Sequence, residues 1–255
     1  MKDLMNLSFD DVQTYISQNH LVNAQKALIL MEDYLEDHSE QISDSKRIRH
    51  NIEHVLYIVR ILIDLNPPYD KQDIDLMITV TLCHPLAETS AFAGDPYDLM
   101  KSYGISEEVC KLMHLIDGRH TLNDEGLAAY CLRIRENPMA LMVVLADCGR
   151  VLQELHTVSS WKARRHIYEI RSFYMPMCIY AKEAFPELLP CLGILMGKMR
   201  TLVELAEMML NRYEPQEMEL IQDILAMSEE NATIKGILRR LQAEKEAESL
   251  INHSF

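Results

Sequence analysis

Apolar residues in the first third of the chain recur at intervals of three and four positions. This spacing places them on one face of an α-helix, and no stretch sustains the alternation of apolar and polar residues that marks a half-buried strand. No proline occurs before position 67 and no glycine before position 94, so neither residue interrupts these early helices. The pattern predicts an all-α fold.

Proline and clusters of polar residues mark where later helices begin and end. The segment DLNPPYDKQD contains a helix stop, a turn and a new helix start, and it predicts a helix over residues 74–84. Further helices are expected over 125–136, 162–184 and 187–213, and in the strongly apolar segment NPMALMVVLADCGRVLQEL. The tail from residue 215 is charged, with a thin apolar stripe.

Composition and charge narrow the class of protein. A chain of 255 residues with 48% apolar content can bury a large core, and a net charge of −14 disfavours a nucleic-acid partner. No apolar run reaches the roughly 20 residues that span a bilayer, and the start of the chain does not read as a signal peptide. The six cysteines are scattered without a C-x-x-C pair, which is typical of buried, reduced thiols. We therefore expect a soluble cytoplasmic protein that binds neither membrane nor nucleic acid.

Three ionisable residues interrupt apolar helices and are the candidates for chemistry: His54, His84 and Asp147. A buried aspartate is costly unless a cation, an ion pair or capping amides satisfy it. Imidazole nitrogen and carboxylate oxygen from separate helices are ligand types that hold a divalent transition metal.

Each candidate also has a structural interpretation without chemistry. His54 could lie at the surface or pair with His50 one turn earlier, and His84 could be a histidine that the dipole favours at a helix C-terminus. Asp147 could pair with Arg150 or with another buried basic residue.

Five segments in this order resemble the HD-domain metal-dependent phosphohydrolases, and among them the hydrolase domain of RelA/SpoT-type alarmone enzymes. They are NIEHVLYIVRIL around His54, VTLCHPLAETS with His84 and Glu88, YGISEEVCKLMHLIDG, ALMVVLADCGRVL with Asp147, and RRHIYEIRSFYMPMCIYA. The resemblance covers roughly residues 45–185. It implies an HD-like helical bundle over 45–190, with helical extensions over 1–44 and 191–255.

The resemblance also implies roles for particular residues. His54, His84 and Asp147 would be metal ligands, and Glu88 would activate or orient a water molecule. Manganese is the metal that the resemblance favours, with iron or zinc as alternatives, and a guanosine nucleotide is the implied ligand. A homodimer through the C-terminal helices is a further expectation.

The chain departs from the family pattern at the site itself. Pro85 stands where the family has the metal-binding aspartate of the HD pair, and Thr89, Cys148 and Val151 replace three other polar residues. These departures favour a degenerate member with weak or lost catalysis, whose pocket binds a nucleotide without chemistry or binds nothing. The alternatives are an active divalent-metal phosphohydrolase on a guanosine alarmone or other nucleotide, and a helical interaction scaffold.

Pro85 also carries a structural expectation. A proline inside a helix removes one backbone hydrogen bond, here to the carbonyl of Thr81, at a cost of about 3 kcal/mol. It also biases His84 away from helical dihedral angles. We therefore expect the helix to end or kink at His84.

Overall fold

The computed structural model of the chain describes residues 9–37, 55–88, 95–117, 123–153, 155 and 158–227. Every regular element within these ranges is helical, which confirms the predicted all-α class. The helices are α1 Phe9–Gln18, α2 Val22–Asp37, α3 over residues 55–65, α4 Lys71–Glu88, α5 Pro96–Ser102, α6 Glu107–Ile116, α7 Asp124–Ile134, α8 Pro138–Gln153, α9 Ser160–Glu169, α10 Met175–Ala184 and α11 Leu189–Met227.

Local capping explains where several helices begin and end. The Asp95 side chain accepts a 2.9 Å hydrogen bond from the backbone of Tyr97 at the start of α5, and Asn123 accepts one of 2.9 Å from Gly126 at the start of α7. Gly104 follows α5 with a φ of +71°, a conformation that glycine adopts without a steric penalty. These caps stop α5 and start α7 as the polar loops in the sequence predict.

Two helices form the centre of the described core. All residues of α4 from Asp75 to His84 are buried, and so are all residues of α8 from 140 to 150. A helix that is apolar on all sides belongs inside a protein, and α4 packs against α2, α5 and α6. The residues that interrupted the apolar pattern of α4 and α8 therefore lie in the interior.

The helix that contains Pro85 does not end at His84, so this part of the prediction is wrong. Helix α4 continues to Glu88. Leu86 is only 1% exposed, and burying such a side chain stabilises the fold by roughly 1.5–3 kcal/mol. Packing of the last turn therefore offsets the hydrogen bond that the proline removes.

The later helices follow the predicted order but with different internal structure. The predicted helix over 162–184 is α9 and α10 joined by a π-helical turn at Ile170–Tyr174, just before Pro176. The predicted helix over 187–213 begins at Leu189 and extends to Met227.

The chain divides into two compact units. The first contains α1 to α8 as far as Arg150, together with residues 172–197, and the second contains residues 151–171 and the chain from Lys198 onwards. The domain boundaries expected near residues 44 and 190 stay predictions. Among the described helices, none combines the length and the apolar character that crossing a bilayer requires.

Candidate functional site

His84 and Asp147 line the same small cavity in the first unit. The other residues that line it are Ile58, Thr81, Ile116, Tyr130, Val143 and Val144. His84 is 9% exposed and Asp147 is 3% exposed, so both ionisable groups lie in the interior. The cavity has a volume of about 10 Å³, counted as the space that the centre of a water molecule can occupy. This is close to the minimum that one water molecule needs.

Helix spacing explains how α4 and α8 each present several residues to the cavity. Thr81 precedes His84 by three positions on α4, and residues three or four apart share a face of a helix. Val143 and Asp147 have the corresponding separation on α8. The cavity therefore lies between one face of α4 and one face of α8, with α3, α6 and α7 supplying the remaining walls.

Two residues with hydroxyl groups, Thr81 and Tyr130, also line the cavity, and the sequence pattern does not single them out. The Thr81 hydroxyl donates to the carbonyl oxygen of Met77 at 2.8 Å, and the Tyr130 hydroxyl donates to the carbonyl oxygen of Ile116 at 3.0 Å. In the sequence, a threonine in an apolar helix and a tyrosine in LAAYCLRI are both ordinary core residues. The only sequence signal for Thr81 is its position three residues before His84.

Two of the four predicted site residues cannot be placed. His54 lies outside the described residues. Glu88 is the last residue of α4, but its side chain is outside the described part of the structure. The predicted roles of both residues stay predictions.

A second buried carboxylate on α4 has a purely structural role. Asp75 is 7% exposed and accepts hydrogen bonds from the backbone of Asn23 at 2.9 Å and of Ala24 at 2.8 Å. The Asn23 side-chain amide donates to it as well, at 3.1 Å. Asp75 therefore caps the N-terminus of α2 from a distant part of the chain, and its burial needs no ligand.

Besides Asp147, the other buried charged side chain of α8 is Arg150. Its guanidinium carbon lies 5.6 Å from the centre of the Tyr57 ring, within the range of a cation–π contact. Arg150 is 6% exposed, so this stacking accompanies a buried charge one turn beyond Asp147.

The ionisable side chains in the cavity are of the kinds that bind metal cations. Imidazole nitrogen and carboxylate oxygen are both metal ligands. Over the described ranges, no three His, Cys, Asp or Glu side chains come together in the manner of a metal centre, so His84 and Asp147 would form a two-residue core there. Comparison with protein-family models, characterised proteins and solved structures found no match to this chain.

Proposed function

We propose that this chain is a cytoplasmic, cation-binding helical protein related to the HD-type phosphohydrolases, in which hydrolysis is weak or lost. The observation that carries the proposal is the shared cavity of His84 and Asp147. These two residues are 63 positions apart in the sequence and come from separate helices, α4 and α8. A metal site of this family would bring these two residues together in one cavity.

The sequence offers one further ligand at a suitable position. His54 precedes Ile58 by four positions, the separation at which two residues share a face of a helix, and Ile58 lines the cavity. We therefore propose His54 as the third protein ligand, as the resemblance implies. Asp147 would carry the only negative charge of this ligand set, because Pro85 stands in place of the family's second carboxylate.

The missing carboxylate supports weak or lost catalysis. A bound divalent cation would lower the pKa of its water and polarise a phosphoryl oxygen of the substrate. In this chain, Glu88 is the residue that we propose to accept or orient the proton of that water. With one anionic ligand fewer, the chain would hold the cation less tightly.

Metal content tests this proposal. The protein should be purified without chelator and compared with the double variant His84→Gln, Asp147→Asn, by elemental analysis. We expect near-stoichiometric manganese, iron or zinc in the wild type and its loss in the double variant. The matched control is His114→Gln, Asp98→Asn, which makes the same changes at two exposed positions and should keep the metal.

The outcomes separate the alternatives. A wild-type protein without metal that also fails to bind added manganese would overturn the proposal and leave a folded helical scaffold. A metal-loaded protein should next be assayed for hydrolysis of a guanosine alarmone. Turnover that the double variant lacks would replace weak or lost catalysis by the active phosphohydrolase.

A further inference from the structure

The two hydroxyl groups that line the cavity have both committed their single proton. The Thr81 hydroxyl donates to Met77 one turn back on α4, and the Tyr130 hydroxyl donates to Ile116 at the end of α6. A hydroxyl has one proton and two lone pairs, so an oxygen whose proton is directed at a backbone carbonyl can only accept from a ligand. A ligand that reached either oxygen would therefore meet an acceptor.

The backbone of α4 also lacks one N–H group close to His84. Within an α-helix the carbonyl of Thr81 would accept from the N–H group of residue 85, but Pro85 has no N–H group. Thr81 thus lines the cavity at the point where α4 lacks one of its regular backbone donors. The missing N–H group is that of the residue next to His84, and this is also the position at which the chain lacks the family's aspartate.

The polar residues that line the cavity are thus dominated by acceptors. Asp147 has a carboxylate, neutral His84 has one acceptor nitrogen, and Thr81 and Tyr130 offer oxygen lone pairs. The other lining residues are isoleucine and valine. A cation is the ligand that such a wall stabilises, because an anion would find few donors in it.

We propose that Thr81 and Tyr130 supply neutral oxygen ligands that complete the coordination of the cation held by His84 and Asp147. This proposal rests on the function proposed above and adds two residues that the family resemblance does not assign. The neutral oxygens take the place of the carboxylate that the chain lost at Pro85. The resulting set is rich in oxygen and carries one negative charge.

Such a ligand set has a consequence for metal preference. Oxygen ligands suit manganese and magnesium, whereas zinc is satisfied by four ligands and binds nitrogen and sulfur well. Removing an oxygen from the wall should therefore weaken manganese binding more than zinc binding. A residue with only a structural role would weaken both equally.

The experiment measures manganese and zinc affinity by titration calorimetry of the metal-free protein. The variants are Tyr130→Phe and Thr81→Val, each of which removes one oxygen and keeps the shape of the side chain. We expect manganese affinity to fall by about tenfold or more in each, the scale at which ligand-supporting groups act. Thr81→Ser, which keeps the hydroxyl that Thr81→Val removes, should keep the wild-type manganese affinity.

Two control variants match these changes outside the cavity. Thr79 makes the same kind of bond on the same helix, donating to the carbonyl of Asp75 at 2.6 Å, and Tyr180 donates to Glu136 at 3.2 Å. Neither residue lines the cavity. Thr79→Val and Tyr180→Phe should leave manganese affinity unchanged.

The outcomes distinguish this proposal from the one on which it rests. If Asp147→Asn abolishes manganese binding while Tyr130→Phe and Thr81→Val retain it, the oxygen ligands are refuted and the cation site stands. If the wild type binds zinc but no manganese, the oxygen ligands are refuted and the cation site stands; if it binds neither metal and contains no iron, both proposals fall. Circular dichroism of each metal-free variant checks folding, and if Thr81→Val does not fold, Tyr130→Phe decides the question alone.

Discussion

At the scale of single residues, Asp75 shows how a buried charge can be fully explained by the fold. Its carboxylate accepts three hydrogen bonds from Asn23 and Ala24 at the start of α2. The Asn23 side-chain oxygen in turn accepts from the backbone of Ser106 at 3.0 Å, immediately before α6. One aspartate on α4 thereby links the starts of two other helices.

Replacing this carboxylate should destabilise the protein. Asp75→Asn keeps the size of the side chain but exchanges one acceptor oxygen for a donor that faces backbone N–H groups. Leaving buried partners unsatisfied costs about 1–3 kcal/mol, so we expect a loss of that size in the free energy of unfolding measured with urea. Glu183→Gln, at an exposed position of α10, removes a charge without such bonds and should have little effect. Equal stability of Asp75→Asn and the wild type would contradict the capping role.

Sequence alone could not distinguish the two buried aspartates. Asp75 lies near the start of one apolar helix and Asp147 in the middle of another, and the sequence pattern singles out only Asp147 as a candidate. Whether a buried acid meets helix-start amides or a cavity depends on which distant segments pack against it. The same reason hid Thr81 and Tyr130, whose importance comes from the space beside them.

At the scale of secondary-structure elements, Pro85 shows that packing can override helix propensity. The proline lies three residues before the end of α4, and the helix continues through it. Cys83 and Leu86 on either side of this turn are 0% and 1% exposed. The buried side chains hold the last turn in place despite the missing backbone bond.

Restoring that bond should stabilise the protein. Pro85→Ala returns an N–H group to a helical position, and proline in a helix interior costs up to about 3 kcal/mol relative to alanine. We expect the free energy of unfolding to rise by roughly 1–3 kcal/mol in urea titrations. Pro138→Ala is the matched control: Pro138 is the first residue of α8, where the N–H group has no intrahelical partner. Pro138→Ala restores no helix bond and only frees the unfolded chain, so we expect it to leave stability unchanged or slightly lower. An equal gain in both variants would contradict the role of the missing backbone bond.

Periodicity and turn residues predicted most of the helices but not their interruptions. The start of α4 after the turn and the apolar helix α8 follow directly from turn residues and apolar runs. The extension of α4 past Pro85 and the π-helical turn at Ile170–Tyr174 do not, because both depend on how neighbouring side chains pack.

At the scale of the whole molecule, the cysteines form a single population of protected thiols. All six are buried, and all six belong to the first compact unit. Burial raises the pKa of the Cys178 thiol to about 12 and also raises the pKa values of Cys110 and Cys191. Only the thiolate is nucleophilic, so burial protects Cys110, Cys178 and Cys191 in two ways: it blocks access and it keeps the thiol protonated at neutral pH.

The folded protein should therefore resist thiol reagents. In native buffer near pH 8 we expect slow labelling by an aromatic disulfide reagent, and complete labelling of all six thiols in urea. The labelling rate should follow the opening of the first unit, because that unit contains every cysteine. Fast labelling of one or more thiols in the native protein would contradict the burial of those cysteines.

The burial of α4 and α8 on all sides has a consequence for how this chain evolves. Natural selection for a stable core constrains their apolar residues whether or not any cation binds beside them. Apolar stretches that resemble a metal-enzyme motif can therefore persist in a lineage after its chemistry has gone. Among diverging relatives, the substitution rates at the polar residues of the cavity, compared with those at its apolar neighbours, would record whether selection acts on a site there.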